Sequence, residues 1–297
     1  MNINIKQLAF WRYLASAFSG LTLVAALLAL TLNGLNWGMD FTGGVVTEVE
    51  IAPSHSSQEL TQRLNAGLEQ EVGVVQAGQP GRWSIRHGEA QPGALTVMEV
   101  LKQVDPEVTL LNSSTVGSQV GQEMAEMGGL AVLAALICIL LYLSVRFEWR
   151  LACGALLALF YDVLVVLGLF AATGLEFNLT ILAAVMAVVG YSLNDSIVIA
   201  DRIRELLVAR PNEALAKIND DAVAQTFART LVTTGTTLTT VGALWLFGGA
   251  SLTGFALALF VGILSGTWSS ISIGTVLPQW LGLKPEHYQT QPIPETP

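Results

Sequence analysis

The chain has 297 residues, 52% of them hydrophobic and only 12% charged, with a mean hydropathy of +0.56. A water-soluble domain carries roughly 25% charged residues, so an ordinary soluble globule is excluded and a polytopic membrane protein is indicated. The formal net charge of −9 argues against a nucleic-acid partner and gives no support for binding anionic lipid headgroups.

Crossing a hydrocarbon core of roughly 30 Å takes about 20 apolar residues in a helix. Six runs qualify, at about 14–33, 128–145, 151–172, 180–200, 230–247 and 253–277. Ahead of the first, Lys6 and Arg12 resemble the positive region of a signal peptide. The run is too long for the apolar core of such a peptide and no convincing A-x-A site follows, so an uncleaved anchor is expected over residues 1–33.

Residues 34–127, between the first two spans, are polar enough to fold in water and numerous enough for a small domain. They hold 12 acidic and 4 basic residues, a net of −8, whereas the remainder has 11 and 10, a net of −1. A solubilising charge on an exported domain accounts for this more simply than a specific electrostatic partner. "GVVTEVEIA" alternates as a half-buried strand does, and "SSQELTQRLNAGL" has helical spacing behind a Ser cap. "VGVVQAG" and "GRWSIRHG" read as a hairpin around Gly78 to Gly81, followed by helical "ALTVMEVLKQV" and strand-like "EVTLLNSSTV". The order β-α-β-β-α-β is that of a ferredoxin-like α+β sandwich.

Residues 128–277 carry the other five spans. If alternate loops are cytoplasmic, ten of the fourteen basic residues lie inside. The other four belong to the long segment, which charge bias would not retain. Both termini are therefore placed in the cytoplasm, with a cytoplasmic segment at about 201–228 and a tail at 278–297. Residues 34–127 are placed outside. Cys138 and Cys153 suggest neither a disulfide nor a zinc site.

Charged groups inside lipid spans are costly and are functional candidates. Asp162 lies twelve residues beyond Arg150, ~18 Å along a helix and hence near mid-membrane. Its plain alternative is an interhelical hydrogen bond from a protonated acid. Asp195 lies six residues before Asp201, ~9 Å inside its span, among Ser192, Asn194 and Ser196; these polar neighbours favour a functional role. Arg229 opens the fifth span, where position by itself favours a snorkelling anchor. Thr226, Thr230, Thr233, Thr237 and Thr240 form one stripe, read as helix-packing hydroxyls or as a wet seam beside the acids. A carboxylate taken from water toward low dielectric holds a proton more tightly, and an approaching arginine loosens it, which is the basis for expecting a proton-coupled device.

"GMDFTGG" at 38–44, "YDVLVVLGLF" at 161–170, "GYSLNDSIVIADRIRE" at 190–205, "QTFARTLVTTGTT" at 225–237 and the glycine-rich last span together resemble the SecF family of protein-export membrane subunits. The resemblance implies six transmembrane helices in an RND-superfamily arrangement, with an inner-membrane location and SecD as pseudo-symmetric partner. It implies use of the ion gradient to draw unfolded exported polypeptide out of SecYEG after SecA has driven it in, with YajC joining the complex. It assigns Asp195 and Arg229 to ion passage, reversing the positional preference at Arg229, and leaves Asn194 and Asp162 as further pathway candidates. No cofactor is implied; the coupling ion is expected to be H⁺, with Na⁺ as the alternative. In "GMDFTGG", Gly38, Gly43 and Gly44 permit a tight turn that Asp40 caps or braces; a direct part in coupling the outer domain to the helices is the sharper alternative. The chain departs from the usual pattern at Glu123, Glu126, Tyr161 and Trp268.

Three other readings compete. An intramembrane aspartyl protease using Asp162 and Asp195 lacks the Gly-x-Gly-Asp half of its site and has its acids at unequal depths, so no enzyme activity is expected. An RND-like half-transporter for a lipid or small molecule would have half the spans of its kind, and a non-conducting structural subunit of the translocon predicts silent substitutions at the acids.

Overall fold

The computed structural model describes residues 5–53, 55–70, 72–77, 80–88 and 95–288. Six long helices are apolar enough to cross a membrane: α1 (Ile5–Leu32), α5 (Ser118–Arg146), α6 (Trp149–Thr173), α7 (Leu179–Ala209), α8 (Leu215–Phe247) and α9 (Ala250–Trp280). All outrun the expected apolar stretches. α8 starts at Leu215, well before the run at 230, because polar residues there continue the helix while Ile218, Ala222 and Val223 bury against Leu206 and Leu207 of α7. Apolar counting registers only the part suited to lipid.

α9 is the hub of the bundle and packs against α1, α6, α7 and α8. Small residues make this possible. A Cβ added at Gly266 would stand 3.0 Å from the Ser192 Cβ, and one at Gly154 would stand 3.0 Å from the Gly274 carbonyl oxygen, so these helices touch almost backbone to backbone. α5 is largely bare, touching α6 and α7 at few points.

Between α1 and α5 the chain forms β1 (Asn36–Trp37), the short helix α2 (Met39–Thr42), β2 (Gly44–Glu50), α3 (Ser57–Leu68), β3 (Gly73–Gln76), β4 (Arg82–His87), α4 (Val97–Val104) and β5 (Thr109–Val116). β2 to β5 form a four-stranded antiparallel sheet in the order β3-β4-β2-β5, the ferredoxin-like arrangement. Register pairs Thr47 with Ile85 and Val49 with Trp83, which puts these alternating side chains on the face covered by α3 and α4. Leu60, Leu64 and Leu68 recur every fourth residue on α3 and are buried there. Ser56 caps α3, and Thr96 with Glu99 forms a capping box on α4. Of the hairpin expected around Gly78 to Gly81, Gly78 and Gln79 lie outside the described residues, as do Ala94 at the start of the expected helix and the tail beyond Tyr288.

A pairing that the sequence pattern did not suggest joins this domain to the bundle. β1 runs parallel to β6 (Glu176–Phe177), the turn between α6 and α7, with Asn36 opposite Glu176 and Trp37 opposite Phe177. Gly38 N–H donates to the Phe177 carbonyl at 2.8 Å. Trp37, Phe41, Phe177 and Phe170 then pack ring on ring, with centroids 5.6 to 6.2 Å apart. Gly43 and Gly44 have φ of +74° and +142°, so the glycine pair performs a turn that other residues resist.

Candidate functional site: buried acids on a hydroxyl-lined helix

Asp162 on α6 is completely buried, and hydroxyls from two other helices close on it. Ser265 of α9 donates to Oδ1 at 2.6 Å, Ser269 of α9 donates to Oδ2 at 2.8 Å, and Ser192 of α7 donates to Oδ2. Ser265 and Ser269 are one helical turn apart and so face the same way. Among the described residues no Lys or Arg nitrogen lies within 4 Å of Asp162. A buried carboxylate without a counter-ion is expensive, and three hydroxyls offset only part of that cost.

Asp195, one turn beyond Ser192 on α7, is 3% exposed and accepts from Thr267 of α9 at 3.4 Å. Thr267 also meets Thr234 of α8 at 2.9 Å, so one hydroxyl joins three helices. The two acids have separate partners, and no hydrogen bond links them among the described residues. Asn194 points away and is exposed.

Arg229 is exposed on α8. No ion pair within 4 Å joins it to Asp195 among the described residues. Of the threonine stripe, Thr226 and Thr230 are buried, Thr233 and Thr237 partly so, and Thr240 is exposed. The hydroxyls of Thr226, Thr233, Thr237 and Thr240 donate to carbonyls of their own helix. By these bonds the four hydroxyls are satisfied within α8, whose buried Thr226 and Thr230 lie on its packed side. Thr234, outside the stripe, makes the crossing.

Sequence reasoning missed Ser265, Thr267, Ser269 and Thr234. The signal was present in "SGTWSSISIGT", 265–275, where hydroxyls interrupt an apolar run, but which of them faced an acid depended on the rotation of α9. Two departures from the familiar pattern also find a use. Tyr161 shares a 2.7 Å hydrogen bond with Thr22, and Trp268 donates to Ser19 at 3.0 Å, so both tie α1 to the bundle. Asp40 accepts from the Leu179 N–H at 2.9 Å, capping α7 rather than its own turn. Gly38 lies against Asn178 so closely that a Cβ would stand 2.8 Å from the Asn178 Cβ.

Two family patterns match this chain. "Protein export membrane protein SecD/SecF, C-terminal" covers residues 96–284, and "SecD/SecF GG Motif" covers residues 28–54. The chain belongs to the SecD/SecF protein-export family. Within it the similarity is to SecF subunits: it is 41% identical over 284 residues to the protein translocase subunit SecF of Vibrio alginolyticus, covering 93% of this chain and 90% of that one. It is 39% identical over 292 residues to the SecF of Escherichia coli O157:H7, covering 95% and 90%. The crystal structure of SecDF from Thermus thermophilus, described as a translocon-associated membrane protein, superposes with a TM-score of 0.81 at 33% identity over 91% of this chain. This chain spans 38% of that longer one. Family membership and the six helices make it a multi-pass membrane protein with a transport role.

Proposed function

We propose that this chain is the SecF-side subunit of an ion-driven export motor, lodged in the bacterial inner membrane and completed by a SecD partner. The observation that carries the reading is the pair of buried carboxylates, Asp162 and Asp195, both served by hydroxyls of α9 within a membrane-spanning bundle. Ion passage past Asp195 and Arg229 changes the charge that the interior must hold, and the helices shift in response. The exposed Arg229 and the polar flank of α8 give a SecD partner a surface to complete the pathway. No bond is made or broken in this scheme, so the chain acts as a transporter subunit and not as an enzyme.

Arg146, Arg150, Arg202, Arg204, Arg210 and Lys217 gather at the end of the bundle opposite the sheet domain, which supports cytoplasmic termini and a periplasmic domain. One charge crossing 100 mV supplies ~2.3 kcal/mol, enough to bias the motion of an unfolded polypeptide but not to unfold a stable domain. Acting on polypeptide that leaves SecYEG after SecA has moved it, with YajC alongside, matches that scale. H⁺ is the proposed ion and Na⁺ the alternative.

Asp195→Asn keeps the side-chain shape and removes its charge. In the complex with SecD, loss of ion flux in vesicles and of gradient-stimulated export is the expected result; normal values of both refute the reading. Exchanging Na⁺ for K⁺ at fixed pH then separates the two ions.

A further inference from the structure

α7 carries Ser192 and Asp195, and its start, together with β6 just before it, is held by two separate electrostatic contacts. The first is the Asp40 carboxylate, which accepts from Leu179 N–H at 2.9 Å. Asn178, the residue before α7, serves another of the free donors, Ile181 N–H, at 3.0 Å. A helix start leaves its first N–H groups without partners inside the helix and carries partial positive charge, so an anion supplied from another domain is well placed there.

The second contact runs from β4. Arg86 forms an ion pair with Glu176, the residue of β6 three positions before Leu179. Arg86 stands opposite Val46 in the β2–β4 register, and Asp40 lies just ahead of β2. One contact thus leaves α2, just ahead of β2, and the other leaves β4; they land three residues apart, on Leu179 at the start of α7 and on Glu176 of the preceding β6. Burial lowers the pKa of the Arg86 guanidinium and the charge of Asp40 raises it in part, so Arg86 interacts with Asp40 as well as with its ion-pair partner Glu176.

We propose that Asp40, Arg86 and Glu176 are positioning residues that transmit displacement of α7 to the sheet domain. The proposal rests on the ion-driven reading above and gives the glycine-pair segment a mechanical task within it. Asp195 lies sixteen residues beyond Leu179, ~24 Å along the helix, and a continuous helix carries an axial shift over that distance. The β1–β6 pairing and the packed rings beside it keep the joint close to the bundle, while the charged contacts set how the sheet is oriented on α7.

The test uses the chain co-purified with SecD and reconstituted in vesicles, with ion flux and export of a Sec-dependent polypeptide measured on one preparation. Asp40→Asn and Glu176→Gln keep the side-chain shapes. The expected result is export reduced to its gradient-free level with ion flux retained, and recovery of export in the charge-swapped pair Arg86→Glu with Glu176→Arg. Gradient-driven export that stays normal in both neutral variants overturns the proposal, as does a parallel fall of flux and export. If a neutral variant fails to assemble, the swapped pair decides: assembly with gradient-driven export supports the joint, and failure to recover either rejects it. Absence of gradient-driven flux in the unmodified complex instead removes the ion-driven reading, and the joint with it.

Discussion

Thr267 on α9 and Asp195 on α7 share a 3.4 Å hydrogen bond, and Thr267 meets Thr234 of α8 at 2.9 Å through the same hydroxyl. A single side chain therefore senses the carboxylate and two neighbouring helices at once. Thr267→Val preserves the volume and deletes the hydroxyl. Because the bond to Asp195 is long, its loss is set at the low end for a charged acceptor, ~1.5 kcal/mol, or about a tenfold fall in ion flux. Thr267→Ser is expected to retain most of the flux, and vesicle measurements of the two variants side by side check both outcomes.

Ser265 and Ser269 bear a different load, since both donate to the fully buried Asp162. Replacing either by Ala leaves a buried acceptor with one partner fewer, a loss of about 1 to 3 kcal/mol. Thermal unfolding of the detergent-solubilised chain should show the decrease for each. A midpoint unchanged in both would mean that the acid had found another partner.

Gly168 lies where α6 crosses α1, and an added Cβ there would meet the Ala26 Cβ at 2.5 Å and its Cα at 2.6 Å. Backbone cannot step aside as a flexible side chain does. Gly168→Ala is expected to cost about 1 to 3 kcal/mol through overpacking. Gly235 on α8 has nothing within 4 Å of its added Cβ, so Gly235→Ala serves as a neutral control in the same unfolding assay.

Asp105 ends α4 and accepts from Ala52 N–H at 3.1 Å and Glu107 N–H at 2.9 Å. These bonds, the one from Ala52 foremost, hold its carboxyl below the ordinary 3.8. Unfolding releases them, so the unfolded chain binds the proton more tightly than the folded one. The stabilisation is complete above the unfolded value and disappears as pH falls through the folded value. Protease resistance of the sheet domain in the intact protein should fall between about pH 5 and pH 2, and Asp105→Asn should flatten that decline. An equal pH response in the variant would assign the acid sensitivity elsewhere, with Glu99 in its capping box the next candidate.

Much of this protein is written locally. Six apolar runs, the alternation in "GVVTEVEIA", the leucines of α3 and the cap residues Ser56 and Thr96 all act over one or two turns of chain, and each appears in the fold where the sequence predicts it. Asp162 and Asp195 also stand out from sequence alone, because a carboxylate within an apolar run is conspicuous whatever surrounds it. The partners of those acids were not legible. Ser265 lies 103 residues from Asp162, and Thr267 lies 72 from Asp195. Which hydroxyl meets which acid depends on the rotation and depth of α9, and those are set by close approaches such as Gly266 against Ser192. The threonine stripe on α8 shows the converse: its spacing is regular, yet the hydroxyls of Thr226, Thr233, Thr237 and Thr240 bond their own helix, because a carbonyl one turn away is within reach. Asp40 shows it again, for its motif announced a turn, and only the approach of the α6–α7 connection made it the cap of another helix. Sequence by itself determined the spans, the sheet domain and the acids, since those depend on composition and short-range period. Tertiary packing alone decided their hydroxyl partners and the joint between domain and helix, because those contacts join residues that only the fold brings together.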